Sequence, residues 1–232
     1  ARNLICGSLQ NGITSGDGEG GSHVIEGNYI GVDLGGTVVV SNAVSGISLS
    51  VPYCRIGGTN ASQRNVISGN LIGVSLGGTN AHHNEILGNY IGVDATGLAA
   101  LGGVVGIQLG NVRDCEIGRG DGPGGNVIAG MEDAAIYLGA ACAGNRIVGN
   151  LIGVDATGNN RLGNGGYGIY LLRTSPTNTI GGSSAYGEGN VIAGSGGSGI
   201  YAVYCTGLVV RANCVGLGSN LSVIGNGSRG IR

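Results

Sequence analysis

Lysine, tryptophan and phenylalanine are missing from all 232 residues; methionine occurs once and proline three times. Without Phe or Trp, any core must be filled by Ile, Val, Leu and Ala, side chains that suit a narrow interior between closely approaching backbones. Charged residues make up only 10%, and eleven arginines against thirteen acidic residues leave a net charge of −2. That balance carries no basic footprint, so nucleic acid is excluded as a partner. No apolar run approaches the roughly 18–20 residues that cross a bilayer, so no membrane span is expected. The six cysteines include no CxxC pair, which removes a zinc ribbon or thioredoxin-type motif. No cofactor motif is found. Helix caps and 3.6-residue periodicity are missing, and Pro52, Pro123 and Pro176 all fall in turn-like contexts.

Glycine, by contrast, is present 53 times. It does not recur at every third position as collagen requires, and a chain that is 41% hydrophobic is not composed for disorder. The glycines therefore belong to folded turns.

Self-similarity gives them an order. Gly27-Asn28-Tyr29-Ile30-Gly31-Val32-Asp33 returns as Gly88-Asn89-Tyr90-Ile91-Gly92-Val93-Asp94 and again as Gly149-Asn150-Leu151-Ile152-Gly153-Val154-Asp155, a 61-residue beat, with a degraded copy at Ala212–Leu217. Asn3, Asn65, Asn126 and Asn190 keep the same phase, as do Ile56, Ile117 and Ile180. A Gly-Ile or Ala-Ile start recurs at half the period, at Ile13, Ile47, Ile107, Ile136, Ile169, Ile200 and Ile231, with Ile72 in the series as Leu-Ile. One coil is thus about thirty residues. Each coil holds three short β-rich pieces separated by Gly, Asn, Ser and Asp.

The expected fold is all-β: a right-handed parallel β-helix in which residues 1–232 form one solenoid domain of about seven to eight coils, with three strands per coil and a 61-residue double-coil repeat. At ~4.8 Å per coil the rod is on the order of 35 Å long. The recurrent asparagines are expected to form amide ladders, and Tyr137, Tyr170 and Tyr201 a row on one sheet. No capping segment is found, so both ends are expected to be open to further coils or a second copy.

Ile91–Gly97 and Ile152–Gly158 resemble the Ile-Gly-x-Asp-Ala-Thr-Gly repeats of right-handed parallel β-helix proteins of the bacterial secreted and surface type, the pectin-lyase-like solenoids. The resemblance covers nearly the whole chain. It implies an extracellular or cell-surface location and leaves the function open, since that solenoid carries polysaccharide lyases, hydrolases, epimerases and adhesins. Without lysine, the Arg-x-Lys pair of the polygalacturonase branch is absent.

Candidate chemistry is sparse. Asp33, Asp94 and Asp155 fall ~10 Å apart in a regular stack and read as turn residues accepting backbone N–H bonds. Glu132-Asp133, the one adjacent acidic pair, and His82-His83 beside Glu85 are the candidates for acid/base catalysis. Asp17, Glu19 and Asp121 are weak candidates for a calcium site, in loops without a dedicated calcium pattern. Cys115 and Cys142 are expected to pair as a disulfide between neighbouring coils. Asn60, Asn220 and Asn226 head glycosylation sequons. The expected function is a non-catalytic extracellular structural protein, as the self-associating subunit of a fibre or a segment of an adhesin. The alternative is a carbohydrate-active β-helix enzyme or a sugar-binding relative, with polysaccharide as partner.

Overall fold

The computed structural model describes residues 2–16, 20–120 and 124–232. Short strands of two to eight residues follow one another around a parallel β-solenoid, and every third strand returns to the same sheet. The first sheet holds eight strands, from Leu4–Ile5 to Cys214–Val215. The second holds seven, from Ile13–Ser15 to Ile200–Val203, and the third seven, from Val24–Ile25 to Val209–Arg211. Neighbouring strands within each sheet pair in parallel, with coils of about 31 residues. Helical structure among the described residues is confined to two single 3-10 turns, Ala61–Gln63 and Ser184–Tyr186.

Because the coil length varies little, like residues stack on like. Ile30, Ile67, Ile91, Ile128, Ile152 and Ile192 form one inward column on the first sheet. Ile56, Ile86, Ile117, Ile147 and Ile180 form another on the third, and every member of both columns is buried. Each such side chain contributes roughly 1.5–3 kcal/mol of burial. On the second sheet the column runs Ile47, Val74, Ile107, Ile136, Ile169, Ile200. Here the sequence reading is corrected. Ile72 is opposite Ser45 and Val105, and Gly73-Val74 takes the Gly-Ile place two residues later.

The glycine before that inward residue has a steric cause. A Cβ on Gly106 would lie 2.5 Å from the Ala135 carbonyl oxygen and 2.6 Å from Ile128 Cγ2. The chain therefore approaches its neighbours closely enough to leave no room for a methyl group at Gly106. Ala135 fills the equivalent place one coil on, next to a bulge in the strand Met131–Leu138 that leaves Glu132 and Asp133 outside regular pairing.

Candidate functional site

The asparagines that the sequence divides into two series merge into one ladder. Side-chain amides link Asn3, Asn28, Asn65, Asn89, Asn126, Asn150, Asn190 and Asn213 in turn, at 2.8–3.1 Å. Each member from Asn65 to Asn213 also accepts a backbone N–H from the coil before it and donates to a strand carbonyl, as Asn89 does to Ile56 at 2.9 Å. The ladder satisfies the backbone at the corner where the chain turns between the third and first sheets.

The repeated aspartates hold their own loops. Asp94 accepts from Thr96 Oγ1 at 2.8 Å and from the N–H groups of Leu98 and Ala99, and Asp155 does the same with Thr157, Asn159 and Asn160. Burial pushes both carboxyls up, but these hydrogen bonds prevail and hold their pKa values below the usual aspartate value. At half-buried Asp33, the N–H groups of Val38 and Thr37 lower it. The loops also dock on one another across two coils, Ala95 N to Gly36 O at 2.8 Å and Ala156 N to Gly97 O at 2.9 Å. A ridge results along the rod.

The structure separates the candidate acid/base groups. Glu132 and Asp133 are exposed at the bulge of the second sheet, whereas His82 and His83 occupy the corner before the third. Asp17, Glu19 and Asp121 lie outside the described residues. Among the described residues no group of three or more His, Cys, Asp or Glu is assembled as for a metal ion.

Cys115 and Cys142 are buried free thiols in the structure. They occupy different places in their coils: Cys115 N–H bonds Asn145 Oδ1, while the residue after Cys142 bonds Val112 O. Burial pushes the Cys115 thiol up to about 11, and the Cys142 thiol also upward. Of the sequons, Asn60 and Asn220 are exposed, but Asn226 is built into the frame, donating to Ile192 O and accepting Ser195 N–H.

Two surfaces emerge that sequence reasoning undervalued. On the outside of the third sheet Arg55, Glu85, Glu116 and Arg146 stand in register on successive strands. Arg146 pairs with Glu116 at 3.4 Å and Glu188 at 2.8 Å, and Arg55 with Glu26 at 2.9 Å. Burial, then the neighbouring Glu85, push the Glu116 carboxyl up against the pull of Arg146. The signal was legible as a spacing of 30 or 31 residues between charges. On the second sheet the tyrosine row is joined by Tyr167. Ring centroids lie 5.3 Å apart for Tyr137–Tyr170, 5.4 Å for Tyr170–Tyr201 and 4.8 Å for Tyr167–Tyr201, and Arg232 stacks 5.0 Å over Tyr201.

No family model, curated protein or solved structure matches this chain. No helix among the described residues is long and apolar enough to cross a membrane.

Proposed function

We propose that this chain is a non-catalytic extracellular structural protein, a rigid solenoid block of a fibre or of an adhesin. The observation that carries the reading is the asparagine ladder, which runs unbroken from Asn3 to Asn213. The most regularly repeated polar side chains, these asparagines and the loop aspartates, are engaged in holding backbone and are not presented to a substrate. The location outside the cell, and kinship with pectin-lyase-like solenoids, rest on the resemblance of the Asp-Ala-Thr-Gly repeats to secreted bacterial arrays. Electron microscopy of native material over a range of concentrations, paired with polysaccharide cleavage assays, tests the reading. Filaments with a regular axial repeat and no cleavage support it. Turnover of any polysaccharide overturns it.

A second reading has its own observation. The four-tyrosine platform is a half-exposed aromatic surface of the kind against which sugar rings pack, with the Glu132 and Asp133 carboxylates on the same sheet to accept hydroxyl hydrogen bonds. Affinity electrophoresis in polysaccharide gels is expected to show retardation that Tyr170→Ala abolishes and Tyr170→Phe largely keeps. Equal mobility of all three proteins removes this reading.

A further inference from the structure

At the corner between the second and third sheets, two residues before the third-sheet strand, the backbone is left-handed at Ser22 (φ +64°), Tyr53 (+58°), His83 (+55°) and Asp114 (+55°). Histidine and aspartate tolerate this region better than most side chains. The backbone around His82 and His83 is pinned on both sides. His82 O accepts Tyr53 N–H from the preceding coil at 3.0 Å, and His83 N–H bonds Arg113 O in the next at 3.3 Å. Tyr53 stacks on His83 at 5.2 Å and meets His82 edge-on at 5.3 Å. Thus held, the two imidazoles stand at 84° to one another with their Nδ1 atoms 3.0 Å apart.

We propose that His82 and His83 form a surface binding site for a divalent transition-metal ion of tetragonal preference, Ni(II) or Cu(II), with the two Nδ1 atoms as cis ligands and water in the remaining positions. Without metal, one Nδ1 must carry the proton that bridges the pair. For both Nδ1 atoms to bind the ion, the donor ring changes tautomer, its proton passing by way of solvent from Nδ1 to Nε2, so that both rings stay neutral with the proton on Nε2 and no proton is released overall. The distance selects the geometry. With metal–nitrogen bonds of ~2.0–2.1 Å, a separation of 3.0 Å gives an N–M–N angle of ~95°, whereas a tetrahedral ion needs the nitrogens about 3.35 Å apart. The Arg113 cation nearby is paired with Asp114 at 2.9 Å, which moderates its repulsion of an incoming ion.

The test is titration of the native protein with Ni(II) alone, followed by calorimetry and by paramagnetic broadening of assigned backbone amides. One equivalent is expected to bind, broadening Tyr53, His82, His83 and Asp114 first. His82→Gln and His83→Asn, the latter chosen because Asn accepts a positive φ, are each expected to weaken binding at least tenfold, while His23→Ala leaves it unchanged. Retained far-UV β signal in each variant separates loss of ligand from loss of fold. Absence of a saturable one-to-one event, or its survival in a protein carrying both His82→Gln and His83→Asn, overturns the site. Tighter binding of Zn(II) than of Ni(II) overturns the tetragonal assignment.

Discussion

Asn89 illustrates how a single side chain is used several times over. Its carbonyl accepts from the Asn65 backbone and amide, its NH2 group donates to Ile56 O and Asn126 Oδ1, and it is fully buried. Replacing it by alanine strands donors and acceptors on the two flanking coils, at about 1–3 kcal/mol per uncompensated group. Asn89→Ala is therefore expected to lower stability by roughly 2–4 kcal/mol in urea unfolding. Asn213→Ala, on a half-buried ladder member, is expected to cost less. The thiols give a second residue-scale prediction. Iodoacetamide at pH 8 is expected to leave Cys115 and Cys142 unmodified in the native protein, because both are buried and their thiolates disfavoured. Unfolding without reductant should then yield six adducts by mass spectrometry. Four adducts, with Cys115 and Cys142 spared, would report the inter-coil disulfide that the sequence suggests. The raised Cys115 pKa also has a sign: its stabilising contribution is complete below the ordinary 9.0 and is lost as pH rises towards about 11.

Among the elements, the aspartate loops are a natural experiment with an internal control. Asp33, Asp94 and Asp155 each have a pKa lowered by the fold, so their contribution is present above the ordinary value of 3.8 and lost as pH falls through the folded value. Gly218 occupies the same place in the fourth copy and cannot titrate. Below about pH 4 the amide resonances of Thr37, Val38, Leu98, Ala99, Asn159 and Asn160 are expected to shift together in NMR spectra while those of Ser219 and Leu221 hold. A fourth loop that moves with the other three would show that the aspartates are not the cause. The strands of the second sheet support a steric prediction. Gly106→Ala forces a methyl group against the Ala135 carbonyl and should lower the melting temperature by several degrees, whereas Gly77→Ala, with open space around it, should be neutral.

For the molecule as a whole, contacts run almost entirely between neighbouring coils, so stability is expected to follow a one-dimensional stack. Burial is continuous from Ile86 to Ile169 on all three sheets, while from Val209 onward most side chains are half-buried or exposed. Hydrogen exchange is accordingly expected to be slowest in peptides spanning residues 86–170 and fastest in those from 209 to 232. Uniform protection along the chain would instead mean that the solenoid opens as a single cooperative unit.

The sequence by itself determined the coil length, the three-sheet solenoid and the inward isoleucine columns, because a parallel stack forces like residues into register and so writes its geometry into the spacing of the chain. The turn role of the three aspartates was legible for the same reason. What only the tertiary structure decided depends on offsets within a coil. The two asparagine series interleave into one ladder because the spacing along it alternates between shorter and longer steps. Val74 rather than Ile72 faces inward because glycine, not isoleucine, sets where the sheets can touch. Glu85 and Glu116 become neighbours between Arg55 and Arg146, and Tyr167 joins the tyrosine row, because side chains a full coil apart in sequence stand one strand apart in space. The convergence of His82 and His83 came from neither composition nor period. One left-handed corner residue, His83, next to His82 and pinned with it from the coils on either side, turns the rings towards each other.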